Sequence, residues 1–206
     1  MTYFDERAKD WDTDPAKVER ARVVANAIRT ALPLKAGMIA LEFGCGTGLL
    51  SFALLQDFTS ITLADTSQGM LDVLSGKIKS AGITNMQPLR LDLDNQPLPA
   101  SRFDVTYSLM TMHHVPKTEI FLRHFHALLN PGGFLCIADL DKEDGSFHGP
   151  TVTDVHLGFD QPKLREKVEA AGFGNVHSAP VFAVKKIVDG REKDFPVFLM
   201  VAEKKT

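Results

Sequence analysis

One stretch of sequence decides the fold of this chain, and it reads Glu42-Phe43-Gly44-Cys45-Gly46-Thr47-Gly48-Leu49. The apolar residues that lead into it from Met38 are typical of a buried strand, and those that follow Gly48 are typical of a helix. Closely spaced glycines between a strand and a helix let the main chain approach a ligand where a Cβ atom would collide. The stretch therefore predicts a ligand-binding turn at the carboxyl end of a strand.

Two common phosphate-binding motifs do not match this turn. A dinucleotide site needs a third glycine where Leu49 stands, and a P-loop needs a lysine that does not follow Gly48. A tight turn that binds nothing is the alternative, and Asp65 argues against it. This residue ends the next predicted strand, 21 positions after Gly44, where a carboxylate can accept hydrogen bonds from both hydroxyls of a ribose. Asp92 follows the third strand, where its carboxylate can accept a hydrogen bond from the exocyclic amine of adenine. The alternative is that Asp92 is an ordinary solvated acid in a loop.

Predicted strands and helices alternate along the rest of the chain. A helix is predicted from Pro15, with Asp14 as its N-cap. The later predictions are helix 49–58, strand 61–64, a helix capped by Ser67, strands 86–91 and 103–109, helix 116–129, strand 134–139, helix 161–171, and strands 176–186 and 197–202. This order predicts an α/β, doubly wound sheet with helices on both faces, an antiparallel hairpin at one edge, and ligands at the carboxyl ends of the strands.

Composition narrows the class of protein. A length of 206 residues favours one domain, at about 150 residues per domain. The formal net charge is −3, without the basic face that nucleic acid requires, and no run of 18 apolar residues predicts a membrane span. The acidic first twelve residues do not resemble a secretory signal, and Cys45 and Cys136 lack metal-ligand spacing. A cytoplasmic protein is therefore expected.

In order and spacing, these motifs resemble those of class I S-adenosylmethionine-dependent methyltransferases. The resemblance covers residues 38–202 and rests on residues 42–48, 64–71, Asp92, 103–115, 129–133 and 170–173. It implies a Rossmann-like, seven-stranded sheet in the order 3-2-1-4-5-7-6, with the last strand antiparallel.

The resemblance implies S-adenosylmethionine as the cofactor. The residues expected to contact it are Trp11, Glu42, Phe43, Gly44, Gly46, Asp65, Thr66, Met70, Asp92, Leu93 and Leu109. In the resembling enzymes the two glycines pass beneath the methionine part, and the carboxylate equivalent to Glu42 reaches its amino group. The position of Asp65 holds the ribose, Thr66 and Met70 flank the adenine, and Asp92 with Leu93 reads the adenine edge.

We expect one domain over residues 1–206, with residues 1–34 as an N-terminal lid and helix and residues 35–206 as the cofactor-binding core. In the resembling enzymes the N-terminal region is a lid. The aromatic face of Trp11 can attract a sulfonium by a cation–π contact worth about 0.5–2 kcal/mol. The alternative is that Trp11 packs beside the helix that begins at Pro15.

Histidines mark the expected acceptor side. His113 and His114 follow the fourth strand, where a neutral imidazole can take a proton from a hydroxyl or an amine, and packing of the loop is the alternative role. His148 and His156 lie in an acidic segment that either lines an acceptor pocket or forms a solvated loop. A metal site built from His113, His114, His148 and nearby acids is a further alternative. Because the spacing lacks a ligand pattern, no metal is expected.

These observations predict methyl transfer to a small-molecule acceptor, by a monomer or a homodimer. The chain has little beyond the sheet with which to bind a macromolecule, and no nucleic acid is expected as a partner. The alternative is a methyltransferase-like module that binds the cofactor or a partner without catalysis. An intact glycine turn and Asp65 favour the enzyme. A nicotinamide dehydrogenase is disfavoured by Leu49 and by the lack of a Tyr-x-x-x-Lys motif.

Overall fold

The computed structural model describes residues 3–149, 152 and 154–205 of the chain. In this part the elements are α1 (Tyr3–Arg7), a 3-10 helix (Ala8–Thr13), α2 (Pro15–Ala31), β1 (Ile39–Phe43), α3 (Leu49–Ala53), β2 (Ser60–Asp65), α4 (Gln68–Ser80), β3 (Met86–Arg90), β4 (Phe103–Leu109), a 3-10 helix (Met112–His114), α5 (Thr118–Leu128), β5 (Leu129–Leu140), α6 (Gln161–Ala170), β6 (Phe173–Val188) and β7 (Arg191–Lys204). None of the helices in the described residues combines the length and the apolar character that crossing a membrane requires.

The seven strands form a single sheet in the order β3-β2-β1-β4-β5-β7-β6. Strands β1 to β5 pair in parallel, whereas β7 is antiparallel to both β5 and β6. The predicted fold class and strand order are therefore confirmed. Because the strand order reverses between β1 and β4, a crevice is expected at the carboxyl ends of these two strands, which is where open α/β sheets bind their ligands.

Helices cover both faces of the sheet, and each face has its own apolar core. On β1, Leu41 and Phe43 point into the core formed with α5 and α6. The neighbouring Ala40 points into the opposite core, formed with α2, α3 and α4. Strands buried on both faces are typical of parallel sheets, whose crossover helices shield them from water.

The predicted helix caps are confirmed. The side chain of Asp14 accepts a hydrogen bond from the main-chain N–H of Ala16 at 2.9 Å, and α2 begins at Pro15. Ser67 caps α4 by accepting from the N–H of Met70 at 3.2 Å. These caps satisfy main-chain donors that have no partner within their own helix.

The predicted extent of helix 49–58 is wrong, because α3 ends at Ala53. Arg29 of α2 donates to the carbonyl oxygen of Ala53 and lies 2.8 Å from the carboxylate of Asp57. The chain therefore leaves the helix early, held by a side chain from another element.

Other element boundaries also differ from the prediction. Helix α5 begins at Thr118 rather than Pro116, because Lys117 lies outside the helical region (φ −108°, ψ 63°). Strand β5 begins at Leu129, and its pairing with β4 shifts register before Phe134. The closing hairpin is longer than predicted and turns at Asp189 and Gly190, both with positive φ.

Candidate functional site

The glycine turn after β1 leaves room for a methyl group at one of its glycines. All three have positive φ: +66° at Gly44, +53° at Gly46 and +82° at Gly48. A Cβ on Gly44 would overlap the side chain of Thr111, and one on Gly48 would lie 2.7 Å from a methyl carbon of Leu74. A Cβ on Gly46 would meet nothing closer than 3.9 Å. Two glycines are therefore needed for packing, whereas a Cβ on Gly46 would make only ordinary van der Waals contacts, with Trp11 Nε1 and Met70 Sδ.

Asp65 links this turn to the next strand. One of its carboxylate oxygens accepts from the N–H of Gly46 at 2.7 Å, and the other accepts from the N–H of Ser67 at 2.9 Å. Burial raises the pKa of Asp65, against the lowering effect of these hydrogen bonds. Each oxygen of an ionised carboxylate accepts more than one hydrogen bond. Asp65 can therefore hold the turn and still accept from ligand hydroxyls.

Glu42 lies beneath the turn and is 2% exposed. The hydroxyl of Ser51 donates to its carboxylate, and Ser51 Oγ lies 2.7 Å from the hydroxyl of Tyr107. Burial raises the pKa of Glu42 to about 8, and the hydrogen bond from Ser51 opposes that rise only in part. At neutral pH this carboxyl group is therefore mostly protonated in the absence of a cation beside it.

Two acids tie the N-terminal segment, residues 3–13, to the turns after β1 and β2. Asp5 accepts from the hydroxyl of Ser67 at 2.6 Å. Asp12 accepts from the hydroxyl of Thr47 and forms an ion pair with Lys77 at 2.5 Å. The amine of Lys77 also donates to the carbonyl oxygen of Thr47 at 2.8 Å. The segment thus lies across the same edge of the sheet as the glycine turn.

Aromatic side chains of the N-terminal segment reach further over this edge. The indole Nε1 of Trp11 lies 3.9 Å from the position a Cβ would take on Gly46. Phe4 makes edge-to-face contacts with Trp11, at 6.1 Å between ring centroids, and with His114 at 5.4 Å. The amine of Lys17 lies 3.9 Å from the centroid of the Trp11 ring. Trp11 therefore packs against α2, which is the alternative role predicted for it. Its indole also lies beside Gly46.

Three histidine rings meet at the carboxyl ends of β4 and β5. The ring centroids of His113 and His114 are 4.1 Å apart, and His148 lies 5.1 and 5.2 Å from these two rings. Nδ1 of His113 lies 2.6 Å from the carboxylate of Asp139, and both residues are buried. Burial, together with the neighbouring His113, lowers the pKa of His114 to about 3 and that of His148 to about 4. These two imidazoles are therefore neutral at physiological pH.

The acidic segment after β5 holds the turn that carries His148. Glu143 accepts from the N–H of Gly145 at 2.8 Å and from the N–H of Phe147 at 3.0 Å. Lys186 of β6 donates to the carbonyl oxygen of Phe147 and lies over its ring at 4.3 Å. These hydrogen bonds hold the turn at Phe147 and thereby position His148 beside the other two histidines. Whether the segment lines an acceptor pocket stays a prediction.

His156 has a different place from His148. Its main-chain N–H donates to the carbonyl oxygen of His113 at 2.7 Å. Its ring Nε2 lies 2.9 Å from the carbonyl oxygen of Val115 and 3.3 Å from the hydroxyl of Thr118. His156 therefore braces the turn that carries His113.

Comparisons with known proteins agree with this geometry. A family model for a methyltransferase domain matches residues 41–135. An uncharacterized methyltransferase of Schizosaccharomyces pombe is 34% identical over 157 residues, which are 68% of this chain and 55% of the relative. The chain belongs to the class I S-adenosylmethionine-dependent methyltransferases. The cofactor of this family is S-adenosylmethionine.

Other methyltransferases are more distant. The ubiquinone biosynthesis O-methyltransferase of Coxiella burnetii is 27% identical over 146 residues, which are 69% of this chain and 62% of that protein. This methyltransferase chain thus spans little more than half the length of the curated relatives it matches. The crystal structure of a SAM-dependent methyltransferase from Aquifex aeolicus shares the fold, with a TM-score of 0.67 and 22% identity, covering 95% of this chain and 97% of that one.

The residues of the methyltransferase site fit a bound nucleoside. Gly46 leaves room for a ligand beside the main chain, Asp65 keeps free acceptor capacity, and Met70 Sδ lies 3.9 Å from the Cβ position on Gly46. Thr66 is exposed between Asp65 and the cap of α4. Leu109 ends β4 at the same edge of the sheet. Their contacts with the cofactor remain predictions.

The side chains of three residues predicted to contact the cofactor already have partners within the chain. The side chain of Phe43 packs 5.3 Å from the ring of Phe121, so that only its main chain is left to face a ligand. Leu93 is buried in the same core. The carboxylate of Asp92 accepts from the N–H of Asp94 at 3.1 Å and from the side-chain amide of Asn95 at 2.8 Å. A role for Asp92 toward adenine remains a prediction.

Two polar residues of the site escaped the sequence analysis. Asp139 ends β5 beside β4, and the rule that parallel strands end at one edge, already applied to Asp65, could have paired it with His113. Arg20 of α2 has a buried Nε with no hydrogen-bond partner among the described residues. Burial lowers the pKa of Arg20, while Asp14 and Asp139 raise it. No pattern in the sequence predicts that the Nε of Arg20 is buried.

Proposed function

We propose that this chain transfers the methyl group of S-adenosylmethionine to a small-molecule acceptor that binds beside the histidine cluster. One observation carries the proposal. The room for a methyl group beside Gly46 and the free acceptor capacity of Asp65 lie at the same edge of the sheet as His113, His114 and His148. A cofactor cradle and a set of polar groups able to handle an acceptor are thus adjacent.

Methyl transfer from a sulfonium demands alignment and a dry site more than chemical assistance. When bound, S-adenosylmethionine supplies an electrophilic methyl group on a good leaving group. The chain's own contribution is to position both partners and exclude water. We assign water exclusion to the N-terminal segment, through Asp5, Asp12, Phe4 and Trp11, because these side chains already contact the glycine turn and its neighbours. Met1 and Thr2 of the predicted lid lie outside the described residues.

An acceptor hydroxyl or thiol has to lose a proton as it attacks. His114 is a weak base, because a pKa of about 3 is far below the value near 7 that suits a general base. His113 has its Nδ1 held by Asp139, which leaves Nε2 for the acceptor side. In the cluster without a metal ion, we therefore assign the acceptor's proton to Nε2 of His113.

The Coxiella relative supports an oxygen acceptor, since its name describes an O-methyltransferase of ubiquinone biosynthesis. Arg20 suggests an additional feature of the ligands. A guanidinium is always charged, and the buried Nε of Arg20, which has no partner among the described residues, fits a carboxylate. We propose that Arg20 binds a carboxylate of the cofactor or the acceptor. Arg20→Met then weakens binding of S-adenosylhomocysteine in the first case and raises only the KM of the acceptor in the second.

Calorimetry tests the proposed function. The purified chain is titrated with S-adenosylmethionine and S-adenosylhomocysteine, with NAD and ATP as controls. We expect micromolar binding of the first two alone, followed by release of S-adenosylhomocysteine when a panel of hydroxylated metabolites is supplied. A folded sample that binds neither compound would overturn the proposal. Binding without turnover on any small acceptor would favour the non-catalytic module.

A further inference from the structure

We infer that His113, His114 and His148 form a binding site for one zinc ion, with an open coordination position for the acceptor. The metal site follows from the three side chains themselves. The second part, coordination of an acceptor oxygen or sulfur, rests on the proposed function.

The three side chains lie close enough together to bind one metal ion after small rotations of their rings. Each offers one ring nitrogen, and these atoms lie within 4.8 Å of one another. A tetrahedral zinc ion with Zn–N bonds of about 2.1 Å holds its nitrogens about 3.4 Å apart. The longest separation therefore has to shorten by about 1.4 Å, which rotation of half-buried imidazoles can supply. His114 and His148 are both half-buried.

His113 already has the outer partner of a metal ligand. Its Nδ1 is 2.6 Å from an oxygen of Asp139, so that only Nε2 remains to bind a metal. Asp139 is fixed in turn, because it accepts from the N–H of Leu140 at 2.7 Å and from the N–H of His113 at 3.2 Å. A carboxylate behind a histidine fixes the tautomer and the orientation of a zinc ligand.

His148 has a nitrogen that needs a partner. Its Nε2 is buried and makes no hydrogen bond with the described residues. An unpaired buried polar group is destabilising, and ligation of a metal removes that penalty. The turn that carries His148 is also held in place by Glu143 and Lys186, which hydrogen-bond to the main chain of Phe147. A ligand on an anchored turn needs little further ordering.

The set of donors determines the metal and its use. Three imidazoles favour zinc over magnesium or calcium, which prefer oxygen ligands. Three protein ligands leave one tetrahedral position open, as in catalytic rather than structural zinc sites. A hydroxyl or thiol of the acceptor that coordinates there becomes more acidic. Its O–H or S–H bond breaks, the proton goes to solvent, and the electron pair stays on the oxygen or sulfur as the nucleophile.

Zinc binding is measured on the chain after removal of metal by a chelator and of any affinity tag. We expect one zinc ion per chain by elemental analysis and by calorimetry, and no detectable binding of magnesium. Cobalt(II) is the spectroscopic probe, and it should show the intense visible absorption of a tetrahedral site. Fewer than one zinc ion per chain, with no cobalt band, would overturn the inference.

Variants locate the metal. His114→Ala and His148→Ala should each lower zinc affinity at least 100-fold, and Asp139→Asn should lower it about 10- to 100-fold through the orientation of His113. His177→Ala is the matched control, because His177 is exposed on β6, away from the cluster. Circular dichroism and thermal unfolding show that each variant is folded. Equal zinc affinity in His148→Ala and the parent chain would refute the site.

Titration with S-adenosylhomocysteine, with and without zinc, separates this inference from the proposed function. Binding of S-adenosylhomocysteine without zinc binding refutes the metal site alone. One zinc ion at the cluster, without binding of S-adenosylhomocysteine, confirms the metal site and refutes the proposed function. Full methyl transfer by the chelated chain would overturn the role of zinc toward the acceptor and favour His113 as a general base.

Discussion

Replacement of Glu42 by glutamine should remove a specific pH dependence of stability. Glu42 is buried, and its pKa rises from 4.5 to about 8 in the folded chain. The folded state therefore keeps a proton that the unfolded state releases, and the free energy of unfolding falls as pH rises through this range. The slope is about 1.4 kcal/mol per pH unit for one proton. Between pH 5.5 and 7.5 the loss amounts to about 2.5 kcal/mol.

Glu42→Gln keeps an oxygen that can accept from Ser51 but cannot ionise. Urea unfolding of the ligand-free chain, followed by circular dichroism at both pH values, measures the effect. The variant should gain about 2.5 kcal/mol relative to the parent chain on going from pH 5.5 to 7.5. Glu166→Gln, at an exposed position of α6, should show no such gain. If the curves of Glu42→Gln and the parent chain ran parallel with pH, the reasoning about the buried carboxyl group would be wrong.

The same site yields three further predictions. Gly46→Ala should lower the free energy of unfolding by about 1–2 kcal/mol, because alanine is strained in a left-handed backbone, and should also weaken binding of S-adenosylhomocysteine. The control is Gly82→Ala, at a glycine with a similar φ and open space around it, which should lower the free energy of unfolding without changing that binding. Asp65→Ala should weaken cofactor binding by about 1–3 kcal/mol through unpaired ribose hydroxyls, and unchanged affinity by calorimetry would place the ribose elsewhere. Binding of S-adenosylmethionine at pH 7 should release a proton from Glu42, since a cofactor ammonium favours its ionised form; binding enthalpies should then depend on the buffer in the parent chain and not in Glu42→Gln.

Local signals were sufficient for most of the fold. Asp14 before Pro15 and Ser67 before α4 are caps whose partners lie two or three residues away, so the neighbouring sequence contains the whole interaction. The end of α3 illustrates the opposite case. Arg29 belongs to another helix, α2, and it donates to the carbonyl oxygen of Ala53 and pairs with the carboxylate of Asp57. No pattern within residues 49–58 predicts these contacts.

The candidate site divides in the same way. The glycine turn and Asp65 could be predicted because the strand, the turn and the next strand end are close in sequence, and parallel strands bring their carboxyl ends to one edge. The hydrogen bonds of Asp92 within its own loop could not be predicted, since a carboxylate among polar neighbours has several possible partners of similar strength.

The sequence by itself determined the alternation of strands and helices, the glycine turn, the acidic residue on the next strand and thereby the methyltransferase fold. Only the tertiary structure decided which polar groups meet at the carboxyl ends of β4 and β5. It brings His148 to His113 and His114, sets Asp139 behind His113, and turns Arg20 inward. The physical reason is range. Periodicity, caps and turns act over a few residues, whereas these contacts join positions 26 or more residues apart, such as His113 and Asp139, through the packing of helices and loops onto the sheet.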